Sequence, residues 1–404
     1  MTPILSAKHL DAGYDNKSVV SGIHFDALKG QMICLLGPNG SGKSTILRTL
    51  SGLLAPINGT VEINGVNIKR IKSKNLAKDL SLVLTDNVSL SLMTVYEIAA
   101  MGRIPYTGFL GNLSEDDYKI VDNALETVGA VNLKDRYFSE LSDGEKQKVM
   151  IARALVQEPD LIILDEPTSH LDIKHKVEVI RVLQRLTREK GITCILALHD
   201  IDLAIKGCQT VILVHGNNIA AQGTPEEIIG SGCVQKLYDI SGAVYNELLG
   251  SIEFVGNNTN EIFIIGGNGS GIPLYRTLSR MGFGLTAGVI HENDIEFSVA
   301  NSICSKVIIE SAFESIKDIS LSKAKALLQE AKCVIDAGFP LGCINKKNME
   351  LIKTAQKLGK PILSLRNNQN NSDFIDIDVQ SIHFYESIGD LLSSINEIIK
   401  SHCL

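Results

Sequence analysis

The sequence lacks an excess of positive charge. Its 39 Lys and Arg residues are outnumbered by 46 Asp and Glu residues, which gives a formal net charge of -7. Binding along a nucleic-acid backbone depends on clustered Lys and Arg side chains that neutralise phosphates. The charge balance therefore predicts a chain without a nucleic-acid partner.

Long apolar runs are also missing. No stretch reaches the roughly 18 residues that a membrane-spanning helix needs. The opening residues MTPILSAKHL have neither the basic start nor the apolar core of a secretory signal. We therefore expect the chain to stay in the cytoplasm.

Paired cysteines are absent as well. None of the eight cysteines forms a C-x-x-C pair, and most have apolar neighbours in the sequence. That spacing indicates reduced, buried thiols rather than a zinc site or a disulfide framework. The cysteines are Cys34, Cys194, Cys208, Cys233, Cys304, Cys333, Cys343 and Cys403.

A chain of 404 residues is long enough for two domains. Across residues 1–250, short apolar runs such as Met32–Leu36 and Leu161–Leu164 alternate with helical periodicity, which predicts α/β layers with a partly parallel sheet. Residues from about 87 to 157 interrupt this pattern with candidate helices at Thr94–Met101, Ser114–Val128 and Asp143–Val156. We interpret them as a helical subdomain inserted into the α/β domain.

A second region follows a polar segment. Residues 251–260 include Gly256 and the run Asn257–Asn260, which favour turns, so they are predicted to be a linker. Residues 261–404 then alternate strand-like and helical stretches, which predicts a smaller doubly wound α/β domain. The predicted strands are Ile262–Ile265, Leu285–Ile290, Lys306–Ile309, Val334–Asp336 and Ile362–Leu365, and the predicted helices include Leu274–Met281, Leu321–Ala331 and Asn345–Leu358.

A phosphate-binding loop is the clearest motif. It follows the strand-like run Gln31–Leu36, precedes a helical pattern and matches G-x-x-x-x-G-K-[ST]. Glycines allow backbone N–H groups to approach phosphate oxygens, Lys43 can reach the β and γ phosphates of ATP, and the Ser44 hydroxyl can ligate Mg²⁺. The predicted nucleotide-binding residues are Gly37, Pro38, Asn39, Gly40, Ser41, Gly42, Lys43, Ser44 and Thr45.

Two further strands end in groups suited to hydrolysis. The apolar run Leu161–Leu164 is followed by Asp165, which suits support of Mg²⁺, and by Glu166, which suits a general base for the attacking water. His199 follows the apolar strand Cys194–Leu198. Strand-terminal residues of these types are often structural, so their role depends on the phosphate loop.

The residues up to about 245 resemble the ATP-binding subunits of ABC transporters. The specific mark is the signature Leu141–Glu145, reading Leu-Ser-Asp-Gly-Glu. It is followed later in the sequence by the strand Leu161–Leu164 that ends in Asp165 and Glu166. The resemblance implies a P-loop NTPase fold: an ABC ATPase core with an inserted helical subdomain, here joined to the smaller doubly wound α/β domain. It also implies a homodimer in which Ser142 and Gly144 of one copy complete the ATP site of the other.

The resemblance assigns further roles. It implies that Tyr14 stacks on adenine, that Ser169–Asp172 links the two sites of the dimer, and that His199 senses the γ-phosphate. Asp143 and Glu145 depart from the usual Leu-Ser-Gly-Gly-Gln signature. In the same family a glutamine that touches Mg²⁺ ends the strand where this sequence has Thr85 and Asp86, either of which can offer oxygen to the cation.

The segment Thr94–Tyr106 resembles importers of iron-siderophore, haem and cobalamin type. That resemblance implies integral membrane permease subunits and an extracytoplasmic substrate-binding protein as partners, with this chain peripheral on the cytoplasmic side. The alternative is a soluble ABC ATPase not coupled to transport. Such proteins usually carry two ATPase modules or long coiled coils, and this sequence has one module and no sustained heptad pattern.

The C-terminal region has its own glycine-rich segment, Gly266–Gly271, after a predicted strand and before a predicted helix. Glu292 and Asp294 follow at the distance of a ribose-binding acid, but Ile272 stands where the third glycine of the dinucleotide fingerprint belongs. Three interpretations stay open: dinucleotide binding, an accessory ligand-binding or regulatory domain, and a packing or dimerisation module.

Overall fold

The computed structural model describes residues 2–84, 92–108, 111–230, 234, 242–366 and 377–401. The chain forms two compact units, Met1–Asp239 and Ile240–Leu404, here called the N-terminal and C-terminal units. The exact domain boundaries that the sequence predicts, 1–250 and 261–404, stay predictions.

The described part of the N-terminal unit contains strands and helices in mixed order. Its strands are β1 (Leu5–Tyr14), β2 (Lys17–Ala27), β3 (Met32–Leu36), β4 (Asn58–Ile63), β5 (Val66–Asn67), β6 (Leu80–Val83), β7 (Leu161–Asp165), β8 (Thr193–Leu198), β9 (Thr210–His215) and β10 (Asn218–Gly223). Its helices are α1 (Lys43–Leu50), α2 (Ser73–Asp79), α3 (Val95–Ala100), α4 (Glu115–Thr127), α5 (Asp143–Val156), α6 (Ile173–Lys190), α7 (Ile201–Gly207) and α8 (Pro225–Gly230).

The ten strands form one sheet in the order β5-β4-β1-β2-β10-β9-β3-β8-β7-β6. Strands β9, β3, β8, β7 and β6 are mutually parallel, whereas β1, β2, β4 and β5 are antiparallel. Every residue of β3, β7 and β8 is buried. Parallel strands covered on both faces need continuous apolar runs, which explains the sequence pattern and confirms the predicted partly parallel α/β fold.

Three helices of the predicted subdomain begin with the same device. Thr94, Ser114 and Ser142 each cap a helix, and the carboxylate three residues later reaches back to the capping residue. This capping box satisfies N–H groups that the first helical turn leaves unpaired. Helix α5 covers the predicted range Asp143–Val156, and α3 and α4 lie within their predicted ranges.

The described part of the C-terminal unit begins with a hairpin, β11 (Ala243–Asn246) and β12 (Ser251–Phe254), and continues as alternating strands and helices. The strands are β13 (Asn257–Ile265), β14 (Gly284–His291), β15 (Lys306–Glu310), β16 (Cys333–Asp336), β17 (Ile362–Ser364) and β18 (Ile382–Phe384). The helices are α9 (Ile272–Arg280), α10 (Ile295–Ile303), α11 (Asp318–Glu330), α12 (Met349–Lys357) and α13 (Ile388–Ser401).

The six later strands form a wholly parallel sheet in the order β15-β14-β13-β16-β17-β18. Apolar residues on both faces of the sheet pack under the helices in two clusters. A separate C-terminal parallel α/β domain is therefore confirmed.

The irregular structure predicted at 251–260 is wrong, because Ser251–Phe254 is strand β12 and β13 begins at Asn257. The polar residues of β13 are held by side-chain hydrogen bonds that a local pattern cannot show. Asn260 donates to the carbonyl oxygen of Leu327 at 2.8 Å and accepts from the Thr286 hydroxyl at 2.7 Å. These distant partners compensate for the weak strand preference of asparagine.

None of the helices in the described ranges has both the length and the apolar character needed to cross a bilayer.

Candidate functional site

The glycine loop lies between β3, at the centre of the sheet, and α1. Gly42 has φ of +98°, and a Cβ atom there would lie 2.3 Å from Cγ2 of Val20. Only glycine tolerates both conditions. Within the loop, Gly37 is buried, Pro38 is half-buried, and Asn39 and Gly40 are exposed. The loop therefore presents its backbone at the surface next to the first turn of α1.

Lys43 lies beneath this loop. Its Nζ donates to the carbonyl oxygens of Gly37 at 2.8 Å and Pro38 at 3.0 Å. Burial lowers the pKa of Lys43, and the nearby carboxylates of Glu166 and Asp165 act in the opposite direction. The ammonium group is thus held against the loop, where an anion would stabilise its charged form.

Ser44 and Asp165 come together from α1 and the end of β7. The Ser44 hydroxyl donates to Asp165 Oδ1 at 3.0 Å. Burial raises the pKa of Asp165, although the Ser44 hydrogen bond opposes this shift. A hydroxyl and a buried carboxylate beside a lysine form a hard oxygen-ligand set of the kind that Mg²⁺ prefers.

The loop also contains a buried hydroxyl without a partner. Ser41 is 9% exposed, and its Oγ has no hydrogen bond among the described residues. A buried polar group without a partner costs about 1–3 kcal/mol. Phosphate oxygens at the loop would satisfy this hydroxyl and pair with Lys43, so the residues fit a bound ATP with Mg²⁺.

Glu166 and His199 meet because β7 and β8 are parallel neighbours in which Asp165 is paired with Ala197. His199 Nε2 contacts Glu166 Oε1, and Ser169 Oγ donates to Glu166 Oε2 at 2.9 Å. Burial pulls the pKa of Glu166 upward, but the hydrogen bonds from Ser169 and His199 outweigh it and leave the pKa below its ordinary value. The carboxylate is therefore ionised at neutral pH and able to accept a proton or orient a water molecule.

The signature residues form a separate cluster at the start of α5. Ser142 donates to Glu145 Oε2 from its N–H at 2.9 Å and from its hydroxyl at 2.8 Å. These two hydrogen bonds hold the pKa of Glu145 below its usual value. Asp143 is exposed, and one of its oxygens lies 3.4 Å from Lys146 Nζ, so its charge is partly balanced outside the cluster.

His175 is a residue of this cluster that the sequence analysis missed. A Cβ atom on Gly144 would lie 2.5 Å from the His175 ring. The ring is fixed by Asp172, whose Oδ1 accepts from the His175 N–H and contacts Nδ1, both at 2.8 Å. Asp172 stands three residues before His175 as the N-cap of α6, and that spacing is the one sequence signal for it.

The structure brings some predicted residues together and leaves others apart. Lys43, Ser44, Asp165, Glu166 and His199 share the carboxyl edge of the sheet.

None of the hydrogen bonds made by Ser142 and Gly144 in the described ranges reaches the phosphate loop of the same chain. Tyr14 ends β1 with a side chain that is 45% exposed, and Thr45 is buried in α1. Thr85 and Asp86 lie outside the described residues.

Comparisons with known proteins identify both parts of the chain. The ABC transporter family matches residues 20–169, and the MJ0874 family matches residues 285–392. An uncharacterised ABC transporter ATP-binding protein of Methanocaldococcus jannaschii is 41% identical over 287 residues, which cover 70% of this chain and 99% of the relative. The chain belongs to the ABC transporter ATP-binding proteins.

Two further relatives have import or transport names. The iron(3+)-hydroxamate import ATP-binding protein of Bacillus subtilis is 33% identical, with 60% of this chain and 90% of the relative covered. The ferric enterobactin transport ATP-binding protein of Escherichia coli is 34% identical, with 58% and 87% covered. A solved metal-chelate type ABC transporter in an inward-facing conformation matches with a TM-score of 0.53, 28% identity, and coverage of 59% of this chain and 90% of that chain.

Proposed function

We propose that this ABC transporter ATP-binding protein hydrolyses ATP to drive import through a membrane partner. The observation that carries the proposal is the convergence of Lys43, the Ser44–Asp165 pair and the Glu166–His199 pair at one edge of the sheet. A cation, an oxygen-ligand pair and an ionised base are the groups that phosphoryl transfer to water requires.

Each group has a distinct role in the proposal. Lys43 pairs with the β and γ phosphates, and Ser44 and Asp165 hold Mg²⁺, which supplies neutralisation of phosphate charge. Glu166 accepts a hydrogen bond from the attacking water, and its ionised state suits that task. His199 holds the Glu166 carboxylate in place and senses the γ-phosphate.

We further propose that two copies form composite sites, with Ser142 and Gly144 of one copy placed against the nucleotide of the other. The absence of a hydrogen bond from these residues to their own phosphate loop, within the ranges described, supports this arrangement. Tyr14, exposed at the end of β1, is the proposed adenine contact. Gel filtration of the Glu166→Gln variant with Mg-ATP is expected to show a dimer, because slow hydrolysis should leave the nucleotide bound. A monomer under those conditions would overturn the composite site.

The proposed cargo is an iron-siderophore, haem or cobalamin-type compound, and the proposed partners are permease subunits and an extracytoplasmic substrate-binding protein. The segment Thr94–Tyr106, the import name of the Bacillus subtilis relative and the transport name of the Escherichia coli relative support this class. In this arrangement the chain is peripheral on the cytoplasmic side of the membrane.

Uptake into vesicles tests the cargo directly. Vesicles that contain the protein with its permease subunits are expected to accumulate one of three probes, a ferric hydroxamate, haem or cobalamin, in an ATP-dependent manner. Vesicles with Glu166→Gln provide the matched control. Equal accumulation by both vesicle types for all three probes would contradict the proposed cargo class while leaving ATP hydrolysis to be measured separately.

A further inference from the structure

The C-terminal unit has the strand order of a dinucleotide-binding domain. Numbered within the unit, its parallel strands run 3-2-1-4-5-6, with β13 as the first strand. In such sheets the order reverses between the first and fourth strands, and ligands bind outside the carboxyl ends of those strands. Gly266–Gly271 follows β13 at this point and leads into α9, so topology and sequence together predict an open phosphate cradle.

The cradle is filled by a side chain of the same unit. Glu296, in the first turn of α10, is fully buried. Its Oε2 accepts the N–H of Gly267 at 2.8 Å and the N–H of Gly271 at 3.0 Å. Its Oε1 accepts the hydroxyl of the buried Tyr275 at 2.7 Å. One carboxylate thus takes two loop donors that would otherwise be available to a phosphate.

The glycines of the loop are explained by this carboxylate. A Cβ atom on Gly266 would lie 1.9 Å from Glu296 Oε1, and one on Gly271 would lie 2.3 Å from the same oxygen. Glycine is therefore required at both positions to admit Glu296, without any external ligand. The sequence similarity to a nucleotide loop arises from the space that an internal anion needs.

A second carboxylate closes the rim of the loop. Asp294 Oδ2 accepts the N–H of Asn268 at 2.6 Å, and Asp294 Oδ1 accepts the N–H of Glu296. The donors at Gly267, Asn268 and Gly271 are consequently all bound to acidic side chains. A phosphate brought to the loop would displace these hydrogen bonds and face two negative charges.

We propose that Glu296 is a built-in anionic ligand of the glycine loop and that the C-terminal unit consequently binds no dinucleotide through this loop. The loop is an anion site for a carboxylate, and the chain supplies that carboxylate itself. Within the described residues, the glycine loop of the N-terminal unit is then the one left open to a nucleotide phosphate. This inference holds whether or not the protein drives transport, so its tests are separate from those of the proposed function.

Chemical rescue tests the internal ligand. In the full chain, Glu296→Ala is expected to lower the Tm of the C-terminal unit on the order of 5 °C, because three donors lose their acceptor in a buried cavity. Formate at tens of millimolar is expected to restore much of that loss, whereas chloride at equal ionic strength is not. Glu292→Ala, which removes an exposed carboxylate on the same connection, serves as the matched control. Its Tm is expected to equal that of the native protein and to be unaffected by formate.

Rescue by formate that is no larger in Glu296→Ala than in the control would overturn the proposal. If Glu296→Ala does not fold, Glu296→Gln is used. Its amide oxygen can still accept from Gly267 and Gly271, so a folded variant with a smaller loss of Tm and no response to formate is expected. A Glu296→Gln protein with the Tm of the native protein would also contradict the assignment, because the charge of the side chain would then have no role.

Nucleotide stoichiometry provides a test on the unaltered protein. Equilibrium dialysis of the full chain is expected to give one ATP per chain, lost in Lys43→Ala, and no binding of NAD⁺ or NADP⁺ at millimolar concentration. Binding of more than one ATP per chain, or measurable NAD⁺ or NADP⁺ binding, would overturn the inference.

Discussion

The hydroxyl of Ser142 donates to Glu145 Oε2 at 2.8 Å, so the signature serine is bound to a charged neighbour in the single chain. In the proposed dimer this carboxylate lies near the γ-phosphate held by the other copy. The departure from glutamine therefore adds a negative charge where phosphate charge is already high. The charge of the exposed Asp143 should matter less, because Lys146 Nζ lies beside that carboxylate and partly balances it.

Replacing Glu145 by Gln is expected to strengthen the response to ATP. The amide keeps an oxygen for Ser142 but removes the charge, so the KM for Mg-ATP should fall about two- to fivefold, the effect of roughly 0.5–1 kcal/mol. Steady-state ATPase assays measure the change, with the exposed Glu140→Gln as control. A KM that rises, or one that changes equally in the control, would argue against the placement of Glu145 near phosphate.

Glu145→Gln also has a stability signature. Because the pKa of Glu145 is lowered in the folded state, its charge stabilises the fold above the unfolded-state pKa of about 4.3, and this contribution is lost as the pH falls through the folded-state pKa. The variant should therefore be slightly less stable than the native protein at pH 7 and equal to it in strong acid.

Glu166→Gln is expected to lower the ATPase rate by about 10²–10⁴-fold, the usual effect of removing a positioned base. The amide still accepts a hydrogen bond from Ser169, so ATP binding should be retained. ATPase assays and equilibrium dialysis separate the two properties, and the exposed Glu189→Gln is the control. An unchanged rate would remove Glu166 from the mechanism.

Asp165→Asn is expected to stabilise the nucleotide-free protein while abolishing its response to Mg-ATP. Burial raises the pKa of Asp165, so at neutral pH its ionised form favours the unfolded chain, and the neutral amide removes that cost. We expect a Tm increase on the order of 2 °C without nucleotide. Thermal denaturation with and without Mg-ATP measures both effects.

The control for this change is Asp160→Asn, which removes a half-exposed carboxylate just before β7 that pairs with Lys29 at 3.4 Å. It should retain the stabilisation by Mg-ATP. If Asp165→Asn retained that stabilisation too, the metal-ligand role of Asp165 would be wrong. A lower Tm of the free protein would contradict the cost assigned to its buried charge.

Arg103 belongs to the importer-like segment, yet its side chain serves the fold. Its guanidinium lies 2.6 Å from Asp117, donates to the Val156 carbonyl oxygen at 3.0 Å and to Glu158 at 2.8 Å, and stacks 4.0 Å from the ring of Tyr106. These contacts join the end of α3 to α4 and α5 inside the helical subdomain.

Arg103→Gln is consequently expected to cost about 3–5 kcal/mol, because it leaves the buried Asp117 without its cation. Urea unfolding measures the loss. Arg136→Gln, which breaks a half-exposed pair with Glu140, should cost less than about 1 kcal/mol. A similar loss in both variants would show that burial does not distinguish the two arginines.

Much of this fold follows from local sequence rules. The range of α5 could be predicted because Ser142 and Glu145 form a capping box ahead of an apolar repeat. The convergence of Asp165 and His199 could be expected because both end apolar strands, and carboxyl ends of parallel strands share an edge.

Other features depend on contacts between distant residues and leave little local trace. Asn260 is in a strand because its side chain donates a hydrogen bond to the Leu327 carbonyl oxygen and accepts one from the Thr286 hydroxyl. The glycines at 266 and 271 would be needed whether a phosphate or Glu296 fills the space beside them, so the sequence pattern is the same in both cases. The spacing of glycines indicates where space is needed next to the backbone, but it does not identify the chemical group that fills that space.

Gly144 and His175 provide a prediction that links local packing to the proposed composite site. A Cβ atom on Gly144 would lie 2.5 Å from the His175 ring, so Gly144→Ala should destabilise the protein by about 1–3 kcal/mol through overpacking. His175→Ala removes the obstructing ring, and the double variant should recover most of the stability. Urea unfolding of the four proteins gives the coupling energy.

The ATPase rates should follow the same pattern. The Cβ atom added by Gly144→Ala would point at His175, so this change shifts the start of α5, which the proposed dimer places against the phosphate of the other copy. The Gly144→Ala rate should therefore fall by about tenfold or more, since small displacements at a reacting centre cost that much. His175→Ala in the double variant should restore most of the rate. A Gly144→Ala protein with native ATPase activity but reduced stability would mean that the start of α5 has no part in a shared nucleotide site.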